Sequence, residues 1–278
     1  MGKNATTRVA ILDLYEGAAN QGMRCIREIL HQYSEAYHLN IIVDEFDIRL
    51  KSEIPGLDYD LFISSGGPGS PLDTAGSKWE QEYFSWLEKV KEFNDDPTHT
   101  VKKHVFLICH SFQLVCRQWK MAEVSKRKST AFGVFPVHLL DAGHHEPVFG
   151  SLPDPFYAVD SRDYQVTQPD LSSIHANGGH ILAIEKARPH VPLERAVMAM
   201  RFNEWMVGTQ FHPEADALGM SMHLQTPEKK ATVVENHGLE KWESMIDHLN
   251  DPDKIMFTYA RVLPNFLSYA LGKKELTY

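Results

Sequence analysis

The stretch HVFLICHSFQLVCRQW, residues 104–119, decides the fold. His104 to Ile108 is a short apolar run, which predicts a buried strand. From about Ser111 the apolar residues recur at helical spacing. Cys109 therefore stands where a strand turns sharply into a helix. Such a turn holds a side chain exposed, and it aims the helix dipole and nearby N–H groups at the reacting centre. The same environment favours thiolate over thiol. A cysteine packed as a small apolar residue is the plainer reading of this segment alone.

Working outward, RVAILDLY (8–15) and LNIIVDEFDI (39–48) read as strands, and the segment between them carries Met23, Ile26, Ile29, Leu30 and Tyr33 at helical spacing. YDLFISSGGPGSP (59–71) is a strand running into a glycine-rich turn. In 77–93, Ser77 is the expected N-cap of an amphipathic helix, with Glu80 completing a capping box. Strands alternating with helices predict a mostly parallel open sheet with helices on both faces. Ligands bind beyond the carboxyl ends of such strands, where Cys109 and the Gly66-Gly67 turn both fall.

From about Ala131 the pattern changes to short strands joined by turns, and after Glu214 to helices. Thr226-Pro227 and Asp251-Pro252 each pair an N-cap residue with proline at the first helical position. No linker divides the chain. The expectation is one domain over 1–278, with a core of about 8–214 and a mainly helical extension over 215–278.

The composition is that of an ordinary globular protein, 43% hydrophobic and 23% charged. A net charge of −9 argues against a nucleic-acid or anionic-membrane surface. SKRK (125–128) reads as a solvated loop. No apolar run approaches a membrane span, and the N-terminus lacks the apolar core of a signal peptide. MGKNAT matches a loose myristoylation pattern, which a simple Met-Gly start explains equally well. Three cysteines make no disulfide framework, so a reducing, cytoplasmic setting is expected. Cys116 reads as core. The 15 histidines, including His144-His145 and HANGGH (175–180), show no defined metal-ligand spacing. No metal and no cofactor is expected.

Two further motifs could act with Cys109. In QFHPEAD (210–216), His212 and Glu214 are two apart and would share a face on an extended strand. A histidine beside a thiolate can serve as base and then acid, and a carboxylate behind it selects the tautomer. SSGGPGSP (64–71) lets the backbone approach closely. Pro68 has no N–H, so Gly67 supplies the last amide before it, and His110 supplies another just after the cysteine. Two such donors suit a tetrahedral oxyanion. Taken singly, these motifs read as a turn and a loop.

Together, SGGPGSP, CHSFQ and GTQFHPE resemble the motifs of class I (triad-type) glutamine amidotransferases, in the family's order. AVDSRDYQVT (158–167) is similar to the substrate-pocket strand of GMP synthetase glutaminase domains. The resemblance covers roughly 8–214 and implies a flavodoxin-like fold. It also implies a thiol glutaminase that attacks the glutamine side-chain amide, releases ammonia and hydrolyses a γ-glutamyl thioester. By position, Cys109 would be the nucleophile, His212 the base and Glu214 its orienter. Gly67 and His110 would form the oxyanion hole. Gln113 and the backbone near Ser161 and Arg162 would hold the glutamine.

Three positions depart from the family pattern. Leu107 and Ser111 replace the two elbow glycines, and Arg162 stands where many relatives carry histidine. If the turn needs a positive φ at 111, serine there carries strain of about 1–3 kcal/mol. The first reading is a glutaminase that supplies ammonia to a separate synthetase subunit, since no acceptor domain follows in the chain. The second is a hydrolase of other γ-glutamyl amides or peptides. The third is a catalytically weak regulatory relative.

Overall fold

Period-two alternation in the first strand splits its residues between two layers, and this division organises the molecule. In the computed structural model, which describes residues 6–189, 193–249 and 252–273, that strand is β1 (Thr6–Asp13). Val9 and Ile11 pack on one face with Ile26, Ile29 and Leu30. Ala10 and Leu12 pack on the other with Tyr83, Trp86 and Leu87.

The elements follow as α1 (Gly22–Ala36), β2 (Asn40–Asp47), β3 (Leu61–Ser64), α2 (Lys78–Asp95), β4 (His104–Ile108) and α3 (His110–Gln118). Then come β5 (Glu123–Leu139), α4 (Asp141–His144), β6 (Phe156–Thr167), α5 (Leu171–Ala176), β7 (His180–Glu185), β8 (Val197–Asn203) and β9 (Met206–Thr209). Four helices close the described chain: α6 (Ala217–Leu224), α7 (Pro227–His237), α8 (Leu239–Leu249) and α9 (Pro252–Ala270).

Among the described residues the strands form one nine-stranded sheet in the order β2-β1-β3-β4-β9-β8-β7-β5-β6. The run β2-β1-β3-β4-β9 is parallel. The rest is antiparallel. The expected parallel sheet with helices on both faces is found in the run β2-β1-β3-β4-β9, and the turn-rich middle of the sequence adds an antiparallel wing that makes the whole sheet mixed. Helices α1 and α9 cover one face, since Val262, Leu263 and Phe266 share the cluster of Ile26. Helices α2 and α3 cover the other, where Phe112 and Val115 meet Trp86 and Val90. Each large side chain buried this way contributes about 1.5–3 kcal/mol.

A third cluster joins Met220 and Leu224 of α6, Val233 of α7 and Met245 and Leu249 of α8 to Val159 of β6. Helices α6 to α8 thus lie over the β5–β6 ribbon. No helix of the described residues is long and apolar enough to cross a membrane.

Two local expectations are corrected. SKRK is not a loop. It lies in β5, where Ser125 and Lys126 pair with Gln165 and Tyr164 before a register shift that ends at Ala131. The capping box also does not form. Ser77 sits at the N-cap of α2 without a side-chain capping bond. Glu80 is buried and turns instead to Arg117 of α3, while accepting a bond of 2.6 Å from Thr74. A buried charge-assisted pair outcompetes the weaker local cap, and it ties α2 to α3 below the elbow. Residues 1–5, and with them most of the myristoylation pattern, lie outside the described residues, as does Asp251, the expected cap of α9.

Candidate active site

Cys109 joins β4 to α3 with φ 46° and ψ −93°, in the positive-φ region that a side chain rarely enters. The surroundings enforce that geometry. The Cys109 N–H donates to the Thr209 carbonyl at 2.8 Å, and its own carbonyl accepts the Gln113 N–H at 2.9 Å. Any strain in the turn therefore lies at the candidate nucleophile itself and not at 111. Ser111 is helical, and its hydroxyl accepts the Ile108 N–H at 2.9 Å with the Ser64 and Ile108 carbonyls at 2.9 and 3.0 Å. The condition for strain at serine is thus not met, and its hydroxyl instead fastens the end of β4 to the end of β3.

His212 follows β9 and makes a bridge to Val159 of β6. The chain then turns at Pro213, so Glu214 reaches the imidazole through a turn and not along a shared strand face. His212 Nδ1 lies 2.8 Å from Glu214 Oε1. Glu214 is 1% exposed, and its Oε2 has no hydrogen-bond partner among the described residues. Burial pulls the His212 pKa down. The charges of Glu214 and Cys109, with hydrogen bonds to both side chains, outweigh it and hold the imidazole well above its ordinary value. The imidazolium is therefore the favoured form at neutral pH, with the carboxylate on Nδ1 and the Cys109 sulfur as its other partner.

The glycine turn lies against the end of β1. A Cβ on Gly67 would stand 2.3 Å from the Leu14 carbonyl, so only glycine lets the loop run there. His110 opens α3, so its N–H belongs to the first turn and has no intrahelical acceptor. The His110 side chain is buried, its Nε2 unpartnered among the described residues. Burial, and then the nearby Arg49 and Arg117 charges, push its pKa down to about 3. That imidazole is neutral and is no rival to His212 as a proton carrier.

A cavity of about 380 Å³ gathers all eight residues named from the sequence: Gly67, Cys109, His110, Gln113, Ser161, Arg162, His212 and Glu214. The Ser161 carbonyl is 3.9 Å from Cys109 Sγ. Gln113 Nε2 reaches the Tyr164 carbonyl at 3.3 Å and Gln210 Oε1 at 3.4 Å, so it ties α3 to the far wall. The Arg162 guanidinium is not free in the cavity. Its Nε meets both Asp160 oxygens at 2.8 and 2.9 Å, and Nη2 lies 3.6 Å from Glu185. What Arg162 offers a ligand is therefore chiefly backbone.

Other lining residues carry no local signal in the sequence. Tyr15 follows β1, and burial first, then the charges of Glu214 and Cys109, raise its pKa well above the ordinary value and keep its hydroxyl protonated. Arg24 Nη2 bonds both Asp216 oxygens at 2.7 and 2.8 Å, joining α1 to the approach of α6 at the cavity rim. Cys25 also lines the cavity, but burial pushes its pKa up to about 12, so it remains a thiol.

A mixed α/β sheet with a thiol on a strand–helix elbow and a His–Glu pair at the same sheet edge defines a class of cysteine-centred α/β proteins. Within that class the family profile described as glutamine amidotransferase class-I matches residues 23–226, and the chain belongs to that family. Comparison with curated proteins returns no match. Among solved structures the fold is similar to a glutamine amidotransferase from Thermotoga maritima, with TM-score 0.66, 14% identity, and 95% of this chain and 98% of that chain covered. It is also similar to the glutaminase domain of Trypanosoma brucei CTPS with bound acivicin, with TM-score 0.59, 14% identity, and 97% and 96% covered. A glutamine amidotransferase from Methylobacillus flagellatus gives TM-score 0.53 at 14% identity, covering 98% and 97%.

Proposed function

We propose that the protein is a cysteine-dependent glutaminase that supplies ammonia to a separate acceptor enzyme. The observation that carries the reading is the His212–Glu214 contact of 2.8 Å in the wall of a cavity that also holds the positive-φ Cys109. With the proton of the pair already held on His212, the Cys109 sulfur attacks the side-chain amide carbon of glutamine, and the carbonyl oxygen becomes an oxyanion facing the Gly67 and His110 N–H groups. His212 passes a proton to the departing nitrogen, and ammonia leaves a γ-glutamyl thioester. Water then attacks the thioester carbon, giving a proton to His212, and glutamate departs as the sulfur leaves with its electron pair, which restores the starting pair with protonated His212. Glu214 stabilises the imidazolium throughout. Gln113 and the backbone at Ser161 and Arg162 position the substrate.

Steady-state ammonia release from glutamine, with Cys109→Ala as control, tests this. Turnover in the wild type and none in the variant is the expected result, and equal background in both would reject it.

One observation favours a second reading. The cavity extends past the thiol to Asn20, Thr130 and Phe132, which leaves room for a larger leaving group. A hydrolase of γ-glutamyl amides or peptides would use the same residues. A panel of γ-glutamyl compounds in the same assay separates the two by kcat/KM.

A further inference from the structure

Arg49 lies in the turn after β2, 18 residues before Gly67, and nothing in its neighbouring sequence marks it. Its side chain is only 5% exposed. The guanidinium reaches the Pro68 carbonyl at 2.7 Å and the Leu14 carbonyl at 3.2 Å through Nη1, and Glu16 at 2.6 Å through Nη2. It lies 5.6 Å from the centre of the Trp79 ring. The two carbonyls belong to the two pieces of backbone that confine Gly67: the residue after Gly67, and the end of β1 against which Gly67 is packed.

The rest of the loop has few holds. Ser65 accepts the Leu14 N–H at 2.9 Å and donates to the Gly66 carbonyl at 2.8 Å, which fixes the entry side. Pro68 has no N–H to give. On the exit side Arg49 holds the Pro68 carbonyl, next to Gly67, and Arg117 holds the Pro71 carbonyl three residues further on.

We infer that Arg49 is a positioning residue for the reaction, and that by bonding the Leu14 and Pro68 carbonyls together it fixes the direction of the Gly67 amide that receives the oxyanion. This rests on the glutaminase reading above. A planar guanidinium holds several acceptors at once, which a lysine ammonium at the same place does not reproduce.

The test uses the full chain with Arg49→Ala and Arg49→Lys. Ammonia release from glutamine should lose about 10²-fold or more in kcat, the scale of one misplaced oxyanion donor, with KM changed less than about threefold. Guanidinium ion at millimolar concentration should restore part of the kcat of Arg49→Ala. Alkylation of Cys109 by iodoacetamide, a displacement that forms no oxyanion, should keep its wild-type rate. Amide exchange at 66–70 should rise in Arg49→Ala while α3 stays protected. If kcat and alkylation fall together, KM rises well beyond threefold and guanidinium restores nothing, Arg49 merely supports the fold and the proposal is wrong. If the wild type itself releases no ammonia from glutamine or any γ-glutamyl compound, the glutaminase reading fails. The loop assignment then stands or falls on amide exchange alone, and unchanged exchange overturns it.

Discussion

The Ser111 hydroxyl touches the carbonyl of Ser64 across 2.9 Å and accepts the N–H of Ile108 at 2.9 Å, linking the ends of two neighbouring parallel strands from inside a helix. Ser111 is fully buried. Removing the hydroxyl leaves a buried N–H and a buried carbonyl short of a partner, at about 1–3 kcal/mol. Ser111→Ala should therefore lose that much stability in urea unfolding. Ser111→Gly should lose about a further 1 kcal/mol, because glycine is disfavoured in a helix. Ammonia release should fall in both variants, as the elbow loosens. A Ser111→Gly protein as stable as wild type and more active would restore the reading of serine as a strained substitute for glycine.

The other replaced elbow glycine is explained across the sheet. Leu107 pairs with Gly208 in β9. A Cβ at 208 would lie 2.8 Å from the Leu107 carbonyl, 2.9 Å from the Leu107 Cβ and 3.0 Å from the Phe112 ring. Gly208→Ala should destabilise by about 1–3 kcal/mol through overpacking. The loss should shrink when Leu107→Gly is added, because the side-chain part of the clash disappears while the carbonyl part remains. Denaturant midpoints of the two single variants and the double variant measure that coupling, and strict additivity would show that Leu107 and Gly208 do not share the space.

How much of this was visible in the sequence follows from which forces are local. The strand–helix alternation through 118 is written in apolar periodicity because each element buries one face or both. The elbow at Cys109 was legible for the same reason. SKRK in β5 was not, since its four polar residues carry no apolar alternation, the Arg127 side chain is buried only through its tertiary partner Glu185, and the pairing with β6 is set 38 to 40 residues away. Glu80 was misread because its partner, Arg117, is a tertiary contact that local capping rules do not contain. Arg49, Arg24 and Asp216 were missed likewise: their roles exist only once distant strand ends are brought to one edge of the sheet.

Two buried imidazoles set an acid limit on stability. Burial holds His110 down to about 3 and His104 down to about 4, with Arg201 adding to the second. Their unfolded value is about 6.5. Between these limits the unfolded chain binds more protons, so stability is lost as pH falls below about 6.5, by at most about 1.4 kcal/mol per pH unit for each group. His212 shifts the opposite way. Its contribution is complete below about 6.5 and is lost only as pH rises through its elevated folded value, so it does not mask the acid window. His104 carries a buried Nδ1 with no partner among the described residues and packs edge-on to Tyr269 with ring centroids 5.4 Å apart. His104→Phe keeps the ring and removes the titration. Its urea midpoint should exceed that of the wild type by more at pH 5 than at pH 8. An equal difference at both values would mean that His104 titrates normally in the folded protein.

The proposed catalytic residues differ in what each contributes, and the geometry orders them. Cys109→Ala should abolish ammonia release, because no other group can form the thioester. His212→Ala should cost nearly as much, since one imidazole moves the protons in both half-reactions. Glu214→Ala should cost less than His212→Ala, within the 10²–10⁴-fold typical of acid–base assistance, because the bridge to Val159 still holds His212. Its clearest mark should be on titration. Loss of the carboxylate takes away the leading influence that raises His212, so NMR of ring-labelled histidine should show His212 releasing its proton at lower pH in Glu214→Ala. Since the thiol and the imidazole serve one reaction coordinate, Cys109→Ala/His212→Ala should be little worse than either single variant. Multiplying losses in the double variant, or a His212 titration unmoved by Glu214→Ala, would show that the three residues do not act as a unit.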